Sequence, residues 1–162
     1  MKTFKRWINN EPKGMNLAIF IVIASIAHAA YIIIHILYAS RLGLYELNPY
    51  TQIENFYKKL STLPVVMFIL IFLASVLEEV VFRFAPLVVA VFLKKPYIWL
   101  LAVLYSTIFF GFLHNYCVRG VVVQGIAAFI YVIIFLKCGG LSNRYKKALS
   151  CCVFVHFTYN SC

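Results

Sequence analysis

Residues 63 to 93 form one nearly continuous apolar run, and in its middle two adjacent carboxylates, Glu78 and Glu79, are followed by Arg83. Nothing else in the chain restricts its fold as much. The run is long enough to cross a hydrocarbon core of about 30 Å, where an ionisable side chain costs about 2.5 to 3.5 kcal/mol on insertion scales. The chain has 5 acidic residues, all Glu, and two of them stand here, so the site must hold compensation. Part of it is visible in the spacing. Glu79 and Arg83 lie about 40° apart around a helix and can pair, whereas Glu78 lies about 140° from Arg83 and points elsewhere.

The rest of the sequence is consistent with a lipid environment. Of 162 residues, 64% are hydrophobic and 12% charged, which excludes an ordinary water-exposed surface. Apolar segments at 15–39, 63–93, 97–116, 120–137 and 148–162 predict one all-α domain over 1–162, a polytopic transmembrane bundle of five spans with a polar cluster inside the membrane. The second segment exceeds one crossing at about 1.5 Å per residue, so it must tilt, kink near Pro86, or break there to make six spans. The longest polar stretch, 40 to 62, suggests an interfacial helix around 50 to 60. Trp7, Tyr31, Tyr38, Tyr97 and Trp99 suit anchoring at the membrane surface.

The net charge of +10 sits in short clusters between apolar runs, which reads as topology signal and not as a nucleic-acid face. With five spans, Lys2, Lys5, Arg6, Lys13, Lys94, Lys95, Lys137, Arg144, Lys146 and Lys147 fall on one side. Arg41, Lys58, Lys59 and Arg119 fall on the other, which places the N-terminus in the cytoplasm. Ala27-His28-Ala29 loosely resembles a signal-peptidase site, but the preceding apolar run is longer than the roughly 7 to 15 residues of a signal sequence. Cys117, Cys138, Cys151, Cys152 and Cys162 lie in or beside apolar segments without C-x-x-C spacing, and read as small apolar fillers. A small chain rich in Lys, Ile, Tyr and Asn reads as a bacterial plasma-membrane protein.

Other polar groups repeat the pattern of the second segment. His114 closes the third segment, and His156 and Asn160 stand four apart in the last. His28 and His35, seven apart on one face of the first segment, read as packing or interfacial groups. In order along the chain, Glu78 to Arg83 is EExxxR, Phe110 to His114 is FxxxH and His156 to Asn160 is HxxxN. Three such motifs on successive apolar segments, spanning 78–160, resemble the CPBP family, also called the ABI domain. That family includes type II CAAX prenyl endopeptidases of the Rce1 kind and bacterial proteins linked to bacteriocin immunity and peptide processing.

The resemblance implies an intramembrane glutamic endopeptidase that cuts a hydrophobic or prenylated peptide near the membrane. Glu78 and His114 would hold and activate a water, Glu79 and Arg83 would support them, and His156 and Asn160 would form the oxyanion hole. No cofactor is implied. Two carboxylates and two histidines also make a workable Zn²⁺ ligand set, with Glu78, His114 and His156 as ligands, although no HExxH helix is present. The alternative function is a non-catalytic membrane protein, a bacteriocin-immunity or scaffold protein on the same fold. Beyond membrane lipid and the peptide, a second copy is an expected partner, because the family usually has more helix after its third motif, whereas here two residues follow Asn160.

Overall fold

The computed structural model describes residues 2–41, 64–115 and 121–160. The expected interfacial helix at 50 to 60, Cys117, Cys162 and the side chains of His35 and Tyr38 lie outside the described residues. All described regular structure is helical. Helix α1 spans Lys2–Asn9 and α2 spans Met15–Arg41. Helix α3 covers Pro64–Leu93 and α4 covers Pro96–His114. Helix α5 is a π-helical turn, Val121–Gly125, running into Ile126–Lys137, and α6 is Tyr145–Asn160.

The expectation of five spans, or six, is corrected here. Among the described residues, only α3 and α4 are long and apolar enough to cross a membrane. Among the described residues the other apolar stretches are shorter, Met15–Tyr31 within α2 and Ile126–Ser142, against the roughly 20 residues a crossing helix needs. The physical reasons are local. The α-helical part of α5 ends at Lys137, capped by Cys138 before Gly139 turns the chain at φ +122°, and α6, 16 residues long, opens on Tyr145-Lys146-Lys147 and carries His156, Thr158 and Asn160. The side assignment of the basic residues assumed five crossings and falls with that count.

Pro86 does not break α3 either. A π-helical turn, Val80–Phe84, precedes it, and the proline occupies the first turn of the following α segment, Ala85–Leu93. Proline has no N–H to donate, and the first turn of a helix is where that loss is tolerated. Lys94, in the left-handed conformation, closes α3, and Pro96 starts α4, so the two form a tight hairpin.

Helices α5 and α6 hold the core, where Leu87, Ala90, Tyr131, Ile134, Phe135, Cys152 and Val155 meet. Cys138, Cys151 and Cys152 are buried free thiols within it. The outer faces of α2, α3 and α4 expose Ile19, Val22, Ile26, Phe68, Leu73, Phe92, Leu100 and Phe109, an apolar surface suited to lipid. Helix α6 runs antiparallel to α3: Phe157 meets the rings of Phe68 and Phe72, Asn160 meets Ser75, His156 meets Glu79, and Tyr145 meets Phe84.

Helices α4 and α5 approach closely at Gly125, where an added Cβ would lie 2.8 Å from the backbone oxygen of Thr107. Backbone cannot move aside as a side chain does. Gly125→Ala is expected to destabilise the protein by about 1 to 3 kcal/mol, read as a lower thermal midpoint in detergent; an unchanged midpoint would mean that the helices part freely there.

The N-terminal segment is stitched to the end of the bundle. Lys137, buried in the last turn of α5, donates to the carbonyls of Trp7 and Asn10 and lies 4.4 Å from the Trp7 ring centre. Glu11 faces Arg144 at 3.4 Å and Lys147 at 3.5 Å. Its carboxyl is held below the ordinary value of 4.5, first by the Ser142 hydrogen bond and, against the opposing effect of burial, by the charges of Arg144 and Lys147. A depressed acid stabilises the fold above its unfolded value and loses that contribution as pH falls through its folded value. Glu11→Gln is therefore expected to shrink the loss of thermal stability between pH 7 and pH 3, and an unchanged loss would show that this stitch carries none of the acid sensitivity.

Candidate active site

Two π-helical turns border the polar motifs. One follows Glu79 directly, and the other, Tyr105–Phe109, precedes Phe110 directly. Such turns widen a helix by one residue and recur at functional sites because they re-aim the side chains beside them. The carboxylate pair and the FxxxH segment both stand at these shifts in register.

Glu79 and Arg83 are fully buried and face each other, with Oε1 3.3 Å from Nη1. The same Oε1 lies 2.8 Å from Nδ1 of His156. A carboxylate oxygen accepts, so His156 donates from Nδ1, and its Nε2 then lies 3.4 Å from Oε2 of Glu78. Glu78 also faces His114, whose Nε2 is 3.6 Å from the same Oε2. Nδ1 of His114 lies 3.0 Å from the carbonyl of Phe110. Because a carbonyl cannot donate, Nδ1 carries the hydrogen and a neutral His114 turns its Nε2 lone pair toward Glu78.

The two carboxylates thus differ. Glu79 is sealed in the interior, while the side chains of Glu78 and His114 each keep 27% of their surface open. Two carboxylates and one guanidinium leave one formal negative charge, which a single added proton neutralises. His156 lies between both carboxylates and links the sealed part of the cluster to the accessible part.

Of the six residues singled out by sequence, Glu78, Glu79, Arg83, His114 and His156 meet in this cluster. Asn160 does not join it directly. One turn along α6 from His156, it is exposed and donates to Ser75 Oγ at 3.3 Å, and Ser75 in turn donates to the Ile71 carbonyl at 2.9 Å. Among the described residues, no group of three or more His, Cys, Asp and Glu is arranged to hold a metal ion.

Sequence reasoning passed over several groups at the site. Phe110, noted only as the first residue of FxxxH, lies under the Arg83 guanidinium at 3.8 Å from its ring centre, a cation–π contact worth about 2 kcal/mol when desolvated. Tyr131 covers the Arg83 guanidinium more distantly, at 5.1 Å, and stacks on His156. Ser75 supports Asn160. The signal for Ser75 was available, since Ser75 and Glu79 are spaced by four like His156 and Asn160, the match that antiparallel helices require. Tyr131 left no such trace in its apolar segment.

A helical protein with a lipid-suited exterior and a buried Glu–His–Arg network is a membrane-associated protein with the groups for catalysis at its centre. The family model described as type II CAAX prenyl endopeptidase Rce1-like matches residues 60–162, well over half of the sequence, and the chain belongs to that family. No curated protein and no solved structure matches it.

Proposed function

We propose that this protein is an intramembrane endopeptidase that hydrolyses a peptide bond of a hydrophobic or prenylated peptide at the membrane, using a water activated by Glu78 and His114. The observation that carries this reading is the part-open Glu78 side chain, whose buried Oε2 has no hydrogen-bond partner among the described residues and faces the Nε2 atoms of both His114 and His156. A water between them donates one hydrogen to Glu78 and the other to the His114 lone pair, which leaves an oxygen lone pair for attack.

As that oxygen bonds to the peptide carbon, one water proton passes to Glu78 and negative charge builds on the former carbonyl oxygen. The Nδ1–H of His156 is taken by Glu79. Asn160, one turn along α6, has a second amide N–H besides the one given to Ser75, and an N–H aimed at that oxygen is worth about 2.7 to 4 kcal/mol. Glu78 then returns its proton to the amide nitrogen, the C–N bond breaks, and acid and amine leave. Glu79 and Arg83 take no proton in this scheme; they fix His156 and balance its surroundings. An apolar groove of about 410 Å³ between α3 and α4, lined by Val81, Pro86, Val89, Leu101 and Tyr105 among others, suits the hydrophobic part of the substrate.

The test is cleavage of a fluorogenic prenylated peptide and of a pool of short hydrophobic peptides by the detergent-solubilised protein, with Glu78→Gln as the comparison and a chelator arm. Glu78-dependent cleavage untouched by chelator is expected. Loss on chelation would return Glu78, His114 and His156 to consideration as metal ligands, and folded protein with no cleavage above the Glu78→Gln background would overturn the proposal in favour of a binding role.

A further inference from the structure

Helix α2 lies outside the residues that match the family, yet it sends one side chain to the edge of the site. His28 is 2% exposed, and its Nδ1 lies 2.6 Å from the hydroxyl of Tyr131, itself 2% exposed. The ring of Tyr131 stacks on His156, with centres 5.0 Å apart and planes at 27°. On its other side His28 stacks on Tyr159 at 4.1 Å and 28°, and Tyr159 stands three residues after His156 on α6.

The contacts close a loop: His156 to Tyr131, Tyr131 to His28, His28 to Tyr159, and back along α6. Three helices, α2, α5 and α6, meet in it. The two nitrogens of His156 face carboxylates, which fixes the edge of the ring but leaves its tilt to whatever covers its face. Tyr131 covers that face, and His28 holds Tyr131 by its hydroxyl.

A plain packing role explains these residues less well. Nε2 of His28 is buried without a hydrogen-bond partner among the described residues, and a buried unpaired polar group costs about 1 to 3 kcal/mol. Leucine or phenylalanine would fill the same space without that cost. We infer that His28 and Tyr131 are positioning residues that set the ring orientation of His156, so that helix α2 forms part of the working site. The inference rests on the hydrolytic reading for its catalytic consequence, but its geometry is tested separately.

The protein has 4 His, so selective ¹⁵N labelling of histidine in the full chain in detergent gives few signals, and His156→Gln assigns the one of interest. Tyr131→Phe removes the hydroxyl and keeps the ring; His28→Phe keeps a ring against Tyr159 and removes the nitrogen. Tyr145→Phe is the control, since it loses only an exposed hydrogen bond to Asn143. The expected result is that the ring-nitrogen resonances of His156 shift in both site variants and stay in place in the control, with helix content unchanged in all three.

With a cleaved peptide in hand, kcat is expected to fall by up to about a hundredfold, the cost of a small misplacement, while KM stays within about twofold. Unmoved His156 resonances in folded Tyr131→Phe and His28→Phe would overturn the inference. Shifted resonances in a protein that cleaves no peptide would support the positioning geometry and count against the hydrolytic reading alone.

Discussion

Glu78→Gln is expected to lower the rate of peptide cleavage by about 10²- to 10⁴-fold, the range for removal of a general base, with little change in thermal stability. The two halves of this expectation have separate causes. Glutamine has the shape of glutamate but cannot take a proton from water, so the loss falls on the chemical step and hence on kcat. Stability is spared because Glu78 keeps 27% of its side chain open and takes no part in the sealed pair of Glu79 and Arg83. His114→Ala is expected to act in the same direction, because it removes the second acceptor for the water. Wild-type rates in Glu78→Gln would remove the proposed base from the mechanism.

Arg83→Met is expected to do the reverse, destabilising the fold by about 3 to 5 kcal/mol, the usual consequence of removing one partner from a buried ion pair. Glu79 is then a carboxylate with 0% exposure and no cation beside it. The variant also loses the guanidinium seated on Phe110. Thermal unfolding in detergent reads the effect, and two companions sort its causes. Arg83→Lys keeps the charge without the flat stacking surface and is expected to fall between the other two proteins. Glu79→Gln combined with Arg83→Met removes both charges and is expected to recover much of the loss, the non-additivity that marks a direct pair. A double variant no better than the single one would show that the Phe110 contact, and not the ion pair, holds this part of α3.

The contrast between these variants comes from the tertiary arrangement. Adjacent residues on a helix point about 100° apart, so Glu78 and Glu79 were bound to face different neighbours, but sequence alone did not say which faced an opening. Burial decides it: α6 covers Glu79 with His156, while Glu78 lies toward the end of α4 where His114 stands. The EExxxR spacing serves stability through its second and last positions and the proposed chemistry through its first.

Much of this protein was legible in the residues themselves. The helical class followed from long apolar runs, and the site followed from expensive polar groups that such runs do not otherwise keep. The family followed from three short motifs in order. These features depend on composition and on spacings of three and four residues, which a helix converts directly into shared faces.

Other features had no local signature. The number of helices able to cross a membrane was overestimated because apolar content does not reveal whether a helix is long enough to cross: α5 ends at Lys137 and α6 is 16 residues long and carries polar groups. Tyr131, in an apolar segment, and His28, read as a packing group, acquire their place only when α2, α5 and α6 come together. Phe110 carries Arg83 because the packing of α3 against α4 brings ring and guanidinium face to face, with Arg83 inside one π-helical turn and Phe110 directly after the other. The sequence by itself determined which polar groups must be sheltered and their pairing along one helix; tertiary structure decided which carboxylate stays accessible and what orients His156, because those properties arise from contacts between helices far apart in the chain.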